Sequence, residues 1–226
     1  EVDKMYVALG DSFTGGVEQV ATQLGKLKNL FGETKDLDIA TAFNQIGSAL
    51  NELGANGAAS EANIADFALR IGALPESLKP TIAETLALGA AFEESGVDSE
   101  RAGTAYSSFV KTAAKEADKF AKVMNLTKKE VEDLINKDPM QFFLKFAEGA
   151  KGLDTTEMAK MLDYLKLNDQ YVASIVGAAS ENMGRFRKSI NLSNEALQEA
   201  TSLTNEFNKV NNNAAAIYDE MAMPGR

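Results

Sequence analysis

Histidine and cysteine are both missing from the 226 residues. Without cysteine there is no disulfide, no thiolate ligand and no thiol nucleophile. Without histidine there is no imidazole base and no imidazole metal ligand. A basic excess is missing too: 23 Lys and Arg stand against 33 Asp and Glu, for a net charge of −10. Phosphate binding needs a basic surface, so direct contact with nucleic acid is not expected. No run approaches the roughly 18 apolar residues a membrane span needs. Glu1 opens the chain with neither the basic nor the long apolar region of a signal peptide, and the chain reads as a piece of something longer. Cysteine-free composition suits a reducing compartment.

Four prolines are the only ones in the chain, and after Lys35 no alternating stretch has the length of a convincing strand. What is present favours helix: alanine, leucine, glutamate and lysine are abundant. Ile39, Phe43, Ile46, Leu50 and Leu53 recur at spacings of 4 and 3, one face of a helix that Gly54 and Gly57 end. Ser60 caps the next helix, with Ile64, Phe67 and Ile71 inward. Pro80 suits the first position of a helix carrying Ile82, Leu86 and Phe92. Asp98 caps a helix that turns Ala102, Ala105, Tyr106, Phe109 and Ala113 inward. Thr127 to Glu130 and Asp154 to Glu157 have capping-box spacing. Asp138-Pro139 is a cap followed by a first-turn proline. It leads into Phe142, Phe143 and Phe146, an aromatic group expected in the core. Asn168 is the expected cap of the segment with Tyr171, Val172, Ile175 and Val176.

The C-terminal stretch has a different pattern. Ala196, Ala200, Leu203, Phe207, Val210, Ala214, Ile217 and Met221 alternate at spacings of 4 and 3 over about four heptads, the seam of a coiled coil or long bundle helix. The expected architecture is therefore all-α, a multi-helix bundle of short helices with a long C-terminal helix. Its divisions are a segment at 1–36 whose packing the sequence leaves open, a compact helical domain at 37–192, and a heptad-patterned helix at 193–223.

One stretch looks catalytic. Val7 to Gly16, around Gly10-Asp11-Ser12, resembles the nucleophile block of the GDS-type esterases and lipases, which would make Ser12 the nucleophile. That chemistry needs a histidine to take the serine proton, and the chain has none. A glycine-rich link or helix end is the expected role, ahead of a helix around Val17 to Phe31. Lys111, Lys115, Lys119 and Lys122 fall on one side of a helix, but Glu116 and Asp118 interleave, as on a solvated face. Asp36 with Asp38, Glu93 with Glu94 and Asp98 with Glu100 pair carboxylates. Capping and exposure account for them better than metal or acid–base work does. Asn125-Leu126-Thr127 and Asn191-Leu192-Ser193 match the glycosylation sequon, yet Thr127 and Ser193 suit helix caps. No catalytic, metal or cofactor-binding residue is therefore expected, and the chain is expected not to be an enzyme.

The middle of the chain resembles the core region of phage tail tape measure proteins. Ala40 to Leu53 carries the likeness first, with Asn56-Gly57-Ala58-Ala59-Ser60-Glu61-Ala62 after it. Ile64 to Gly72, Ala87 to Phe92, Gly96-Val97, Arg101 to Ala105 and Leu165 to Asp169 follow in the family's order, across about Leu37 to Glu220. The resemblance implies a structural protein of a phage or prophage tail, made in the bacterial cytoplasm and residing in the virion. Such a protein sets tail length and occupies the tube before DNA delivery. Its implied partners are the tail tube and tail assembly proteins, and itself through the helix from Ala196 to Met221. Gly103 and its alanine neighbours serve close helix packing. No lytic domain and no cofactor is implied. A generic helical adaptor would share the periodicity, and a GDS-type esterase is the remote alternative.

Overall fold

Most helices start where a side chain satisfies the free amides of the first turn. The computed structural model describes residues 2–222 and holds thirteen α-helices and no strand among them. α1 (Val2–Leu9) and α2 (Gly16–Leu30) flank a short 3-10 turn at Gly10–Ser12. α3 (Ile39–Ala55) starts at Asp38, whose carboxylate accepts the Thr41 amide at 2.9 Å. α4 (Glu61–Gly72) starts at Ser60. α5 (Ile82–Glu94) starts at a capping box of Thr81 and Glu84. The cap is thus Thr81, and Pro80 lies one residue before it rather than inside the helix. α6 (Ser99–Lys115) starts at Asp98, and α7 (Ala117–Met124) follows after a break at Glu116. Capping boxes also open α8 (Lys128–Lys137) at Thr127 and α10 (Thr155–Tyr164) at Asp154, while Asp138 caps α9 (Pro139–Gly149). α11 (Val172–Glu181) has no side-chain cap. Asp169, not Asn168, turns the chain into it by accepting the Tyr171 amide at 2.8 Å. α12 (Met183–Glu199) and α13 (Ser202–Ala222) complete the chain.

Two apolar cores share α4 and α5 as a common wall. Ile64, Ala65 and Ala68 of α4, with Ile82, Leu86 and Ala90 of α5, face Met5, Leu24, Phe31, Phe43 and Leu50. Phe67 and Ile71 of α4, with Leu88 and Phe92 of α5, face Phe109, Phe143, Val176 and Phe186. Ten of the thirteen residues of α5 are buried, so it is apolar all round, as expected of a helix enclosed by others. A one-face reading of Ile82, Leu86 and Phe92 understates it. Gly89 lets Phe67 come close: a Cβ there would sit 3.0 Å from that ring. Gly103 does the same for the stem of Arg70, where a Cβ would lie at 2.8 Å, matching its expected packing role.

The segment at 1–36 contributes Met5, Leu9, Phe13, Val20, Leu24 and Leu27 to the same core as α3, although Glu1 lies outside the described residues. Ile39, expected on the inner face of α3, is 64% exposed because it stands at the helix's first position, ahead of the packed turns.

The C-terminal stripe is corrected more substantially. It is not one helix: Ala200 takes a left-handed conformation at φ 52° and separates α12 from α13. Ala196 and Leu203 are buried in the core, whereas Val210, Ile217 and Met221 are 41%, 57% and 81% exposed. The half of the stripe nearest the break is core, and only the rest is an open apolar face. Residue 223, the expected end of that helix, lies outside the described residues.

Candidate functional site

Ser12 sits at the end of a 3-10 turn, not on a strand-to-helix elbow. Its Oγ accepts the backbone N–H of Ala62 at 3.0 Å. Ser60 Oγ meanwhile accepts the Asn63 amide at 3.2 Å. Two hydroxyls from distant parts of the chain therefore satisfy two successive amides at the start of α4, which would otherwise lack partners. Gly10 is buried under Tyr6, where a Cβ would lie 2.7 Å from the ring, and Gly16 takes φ 64° to begin α2. The glycines serve the turn. Ser12→Ala is expected to cost about 1 kcal/mol of stability, as loss of a cap does. Urea unfolding checks this, and a wild-type midpoint would show that Ser60 suffices alone.

The four lysines do not share one helix, since the break at Glu116 divides Lys111 and Lys115 on α6 from Lys119 and Lys122 on α7. Glu116 accepts from Lys166 at 2.9 Å and lies 3.6 Å from Lys119. The hydrogen bond from Lys166 holds the Glu116 carboxyl below its usual range, and the same bond raises the Lys166 ammonium. Lys119 also lies over the Tyr164 ring, 5.4 Å from its centre. The pairing is that of a solvated face with a local ion network.

The carboxylate pairs separate as well. Asp38 and Asp98 cap helices, and hydrogen bonds from Thr41 keep the Asp38 carboxyl low. Glu93 accepts from Asn63 at 2.6 Å, and Glu94 faces Arg185 at 3.8 Å. Among the described residues no group of three Asp or Glu is placed to hold a metal ion, and no helix is long and apolar enough to cross a membrane. Of the two sequons, Thr127 is the cap expected of it and Asn125 closes α7 in a left-handed conformation. Ser193 is not a cap: it lies inside α12, fully buried, and donates to the Ala83 carbonyl at 2.7 Å.

No pattern in the sequence announces the polar seam that fastens α13 to α3. Asn51 Nδ2 donates to Ser202 Oγ at 2.6 Å, and that hydroxyl donates to Glu52 at 2.7 Å. The Leu203 amide faces Ser48 Oγ at 3.5 Å. Their partners lie about 150 residues apart, and single serines and asparagines carry no periodic signal.

The exposed apolar surface of the described residues includes two further features. One is the outer face of α13, with Val210, Ile217, Tyr218 and Met221. The other is an apolar hollow of about 200 Å³ beside α7 and α9, floored by Phe146. Neither brings together groups that could move a proton or hold a nucleophile.

Residues 2–166 match a family described as phage-related minor tail protein, about three quarters of the chain. No curated protein and no solved structure matches. The matched part runs from α1 through α10, while α12, beyond it, packs against α3 and α5 within it.

Proposed function

The chain belongs to the phage-related minor tail protein family, and from that membership we propose that it is a segment of the tail's tape measure protein, structural and not catalytic. Two things support the finer reading. The small-residue helical stretches from Ala40 to Asp169 stand in the order found in tape measure cores. The bundle is also built wholly of helices among the described residues, and a helix converts residue count into length at about 1.5 Å each. The partners in this role are the tail tube and tail assembly proteins, met during assembly in the bacterial host. A structural role agrees with a chain that has neither histidine nor cysteine and whose Ser12 hydroxyl is engaged in capping α4. Hydrolysis of a short acyl ester that Ser12→Ala abolished would overturn the non-catalytic part.

The length-setting role has a direct test. Deleting the 226 residues in frame from the parent gene should shorten the tail. If the segment lies drawn out as helix in the tail, the loss is about 340 Å. If it keeps its folded shape, the loss is only about 45 Å, the diameter expected of a compact domain of this size. Electron micrographs of mutant tails measure either. Tails of unchanged length would refute the tape measure role while leaving family membership intact.

A further inference from the structure

The link between α12 and α13 is only Ala200 and Thr201. Neither glycine, asparagine nor proline stands there. Ala200 ends α12 at φ 52°, a left-handed conformation that a residue with a Cβ adopts at a cost and that glycine usually takes at helix ends. Alanine is also the strongest helix former, so local preference at this position favours continuing the helix.

The core register ignores the break. Phe186, Ser189, Ser193 and Ala196, four of the five buried residues of α12, stand 3, 4 and 3 positions apart. The same alternation runs on through Ala200, Leu203, Phe207 and Val210. If Ala200 turns right-handed, both segments share one face of a single helix.

The anchors of α13 lie at its start. Leu203 fills the notch at Gly47, Ser202 exchanges hydrogen bonds with Asn51 and Glu52, and α13 packs on α1. From Asn208 on, every described side chain of α13 is exposed. α12 is held independently, with Ser193 donating to the Ala83 carbonyl and the Phe186 ring against Phe92. α13 can therefore leave its seat without dislodging α12.

We infer that two copies of this chain exchange α13. In each copy Ala200 turns right-handed, and α12 and α13 run on as one helix from Met183 to Ala222. Ser202 and Leu203 of each copy then seat against Asn51, Glu52 and the Gly47 notch of the other. The contacts remade are those already present within one chain, so the exchange gives none of them up. It releases a left-handed alanine in both copies, and a short hinge under strain favours such an exchange. The arrangement is two-fold and closed, so it stops at a dimer. It holds whether or not the chain is a tape measure segment.

The test uses the full 226-residue chain, whose lack of cysteine makes an introduced pair unique. Leu203 must leave its notch for exchange to occur, so the protein is warmed to just below melting at about 500 µM, a concentration suited to a weak contact. It is then cooled and separated by size. The wild type should give a monomer and a dimer. Ala200→Gly, which suits the left-handed turn and weakens a continuous helix, should reduce dimer formation about tenfold or more. Asn51→Cys with Ser202→Cys joins side chains that lie 2.6 Å apart in the native residues. Each isolated peak is oxidised, or treated with a short thiol cross-linker, and run on a denaturing gel. The monomer should run as single chains and the dimer as covalently linked pairs. A dimer that also runs as single chains would overturn the inference, because each α13 would still sit on its own α3. So would a chain that stays monomeric after the heat step, or a dimer that Ala200→Gly leaves unchanged.

Discussion

Leu203→Asp is expected to lower stability by about 4 kcal/mol, the range for emptying a core site and burying a carboxylate in it. For a chain of this size that lowers the melting temperature by roughly 10 °C. Leu203 is fully buried, and it sits in a notch of α3 made by Gly47, where a Cβ would lie 2.5 Å from its Cδ1. An aspartate there would face Ser48 and the apolar wall of α3, and the ion pairs of the C-terminal helices lie elsewhere, at Arg185 with Glu94 and Arg187 with Glu148. Ile217→Asp is the control. It lies on the same heptad stripe but is 57% exposed, so its cost should stay within about 0.5 kcal/mol. Thermal melts of both variants decide the matter. Unchanged melting of Leu203→Asp would mean that α13 is not anchored in the bundle and that the stripe acts as one continuous seam.

Phe143→Ala should cost about 3 to 5 kcal/mol, the range for large aromatic truncations in cores. Its ring lies 5.8 Å from Phe92, 5.3 Å from Tyr106 and 5.3 Å from Phe109, in edge-on arrangements with all three. Phe109 in turn contacts Phe120, Phe142 and Phe146. Phe143 therefore joins the ring cluster of α6, α7 and α9 to that of α4, α5 and α12. Edge-to-face pairs add about 0.5 to 1.5 kcal/mol each beyond buried area. Phe143→Leu, which keeps most of the volume, should recover about half of the loss. Urea denaturation measures both, and an alanine variant within about 1 kcal/mol of wild type would show that the surrounding rings collapse into the gap.

The helices at Asp38, Ser60, Asp98, Thr127, Asp138 and Asp154 were legible because a cap is a local bond, closed within three residues. The inward phenylalanines were legible for the same reason, since a helical face is written at fixed spacing. Other features were not. The amide that Ser12 satisfies belongs to Ala62, fifty positions away, so a turn serine imitates a nucleophile until its partner is seen. Asp169 was hidden beside Asn168, a residue of equal capping propensity, and Thr81 behind Pro80, which suits a helix's first position. The corner at Ile39 has the spacing of an inward residue and only the packing shows it facing out.

By itself the sequence settled two things: the exclusion of histidine and cysteine chemistry, and an all-helical chain. Both follow from composition and from interactions spanning a few residues. Tertiary structure alone decided that α5 is enclosed on every side and that Ser193, Asn51 and Ser202 lock the C-terminal helices to α3 and α5. It also decided where the C-terminal stripe passes from core to surface. Eight residues repeat at one spacing, and nothing local distinguishes Leu203 from Ile217. Ala200 turning left-handed and Gly47 leaving room for a single leucine separate the buried half from the exposed half, and the Gly47 notch depends on chain segments about 150 residues apart meeting in space.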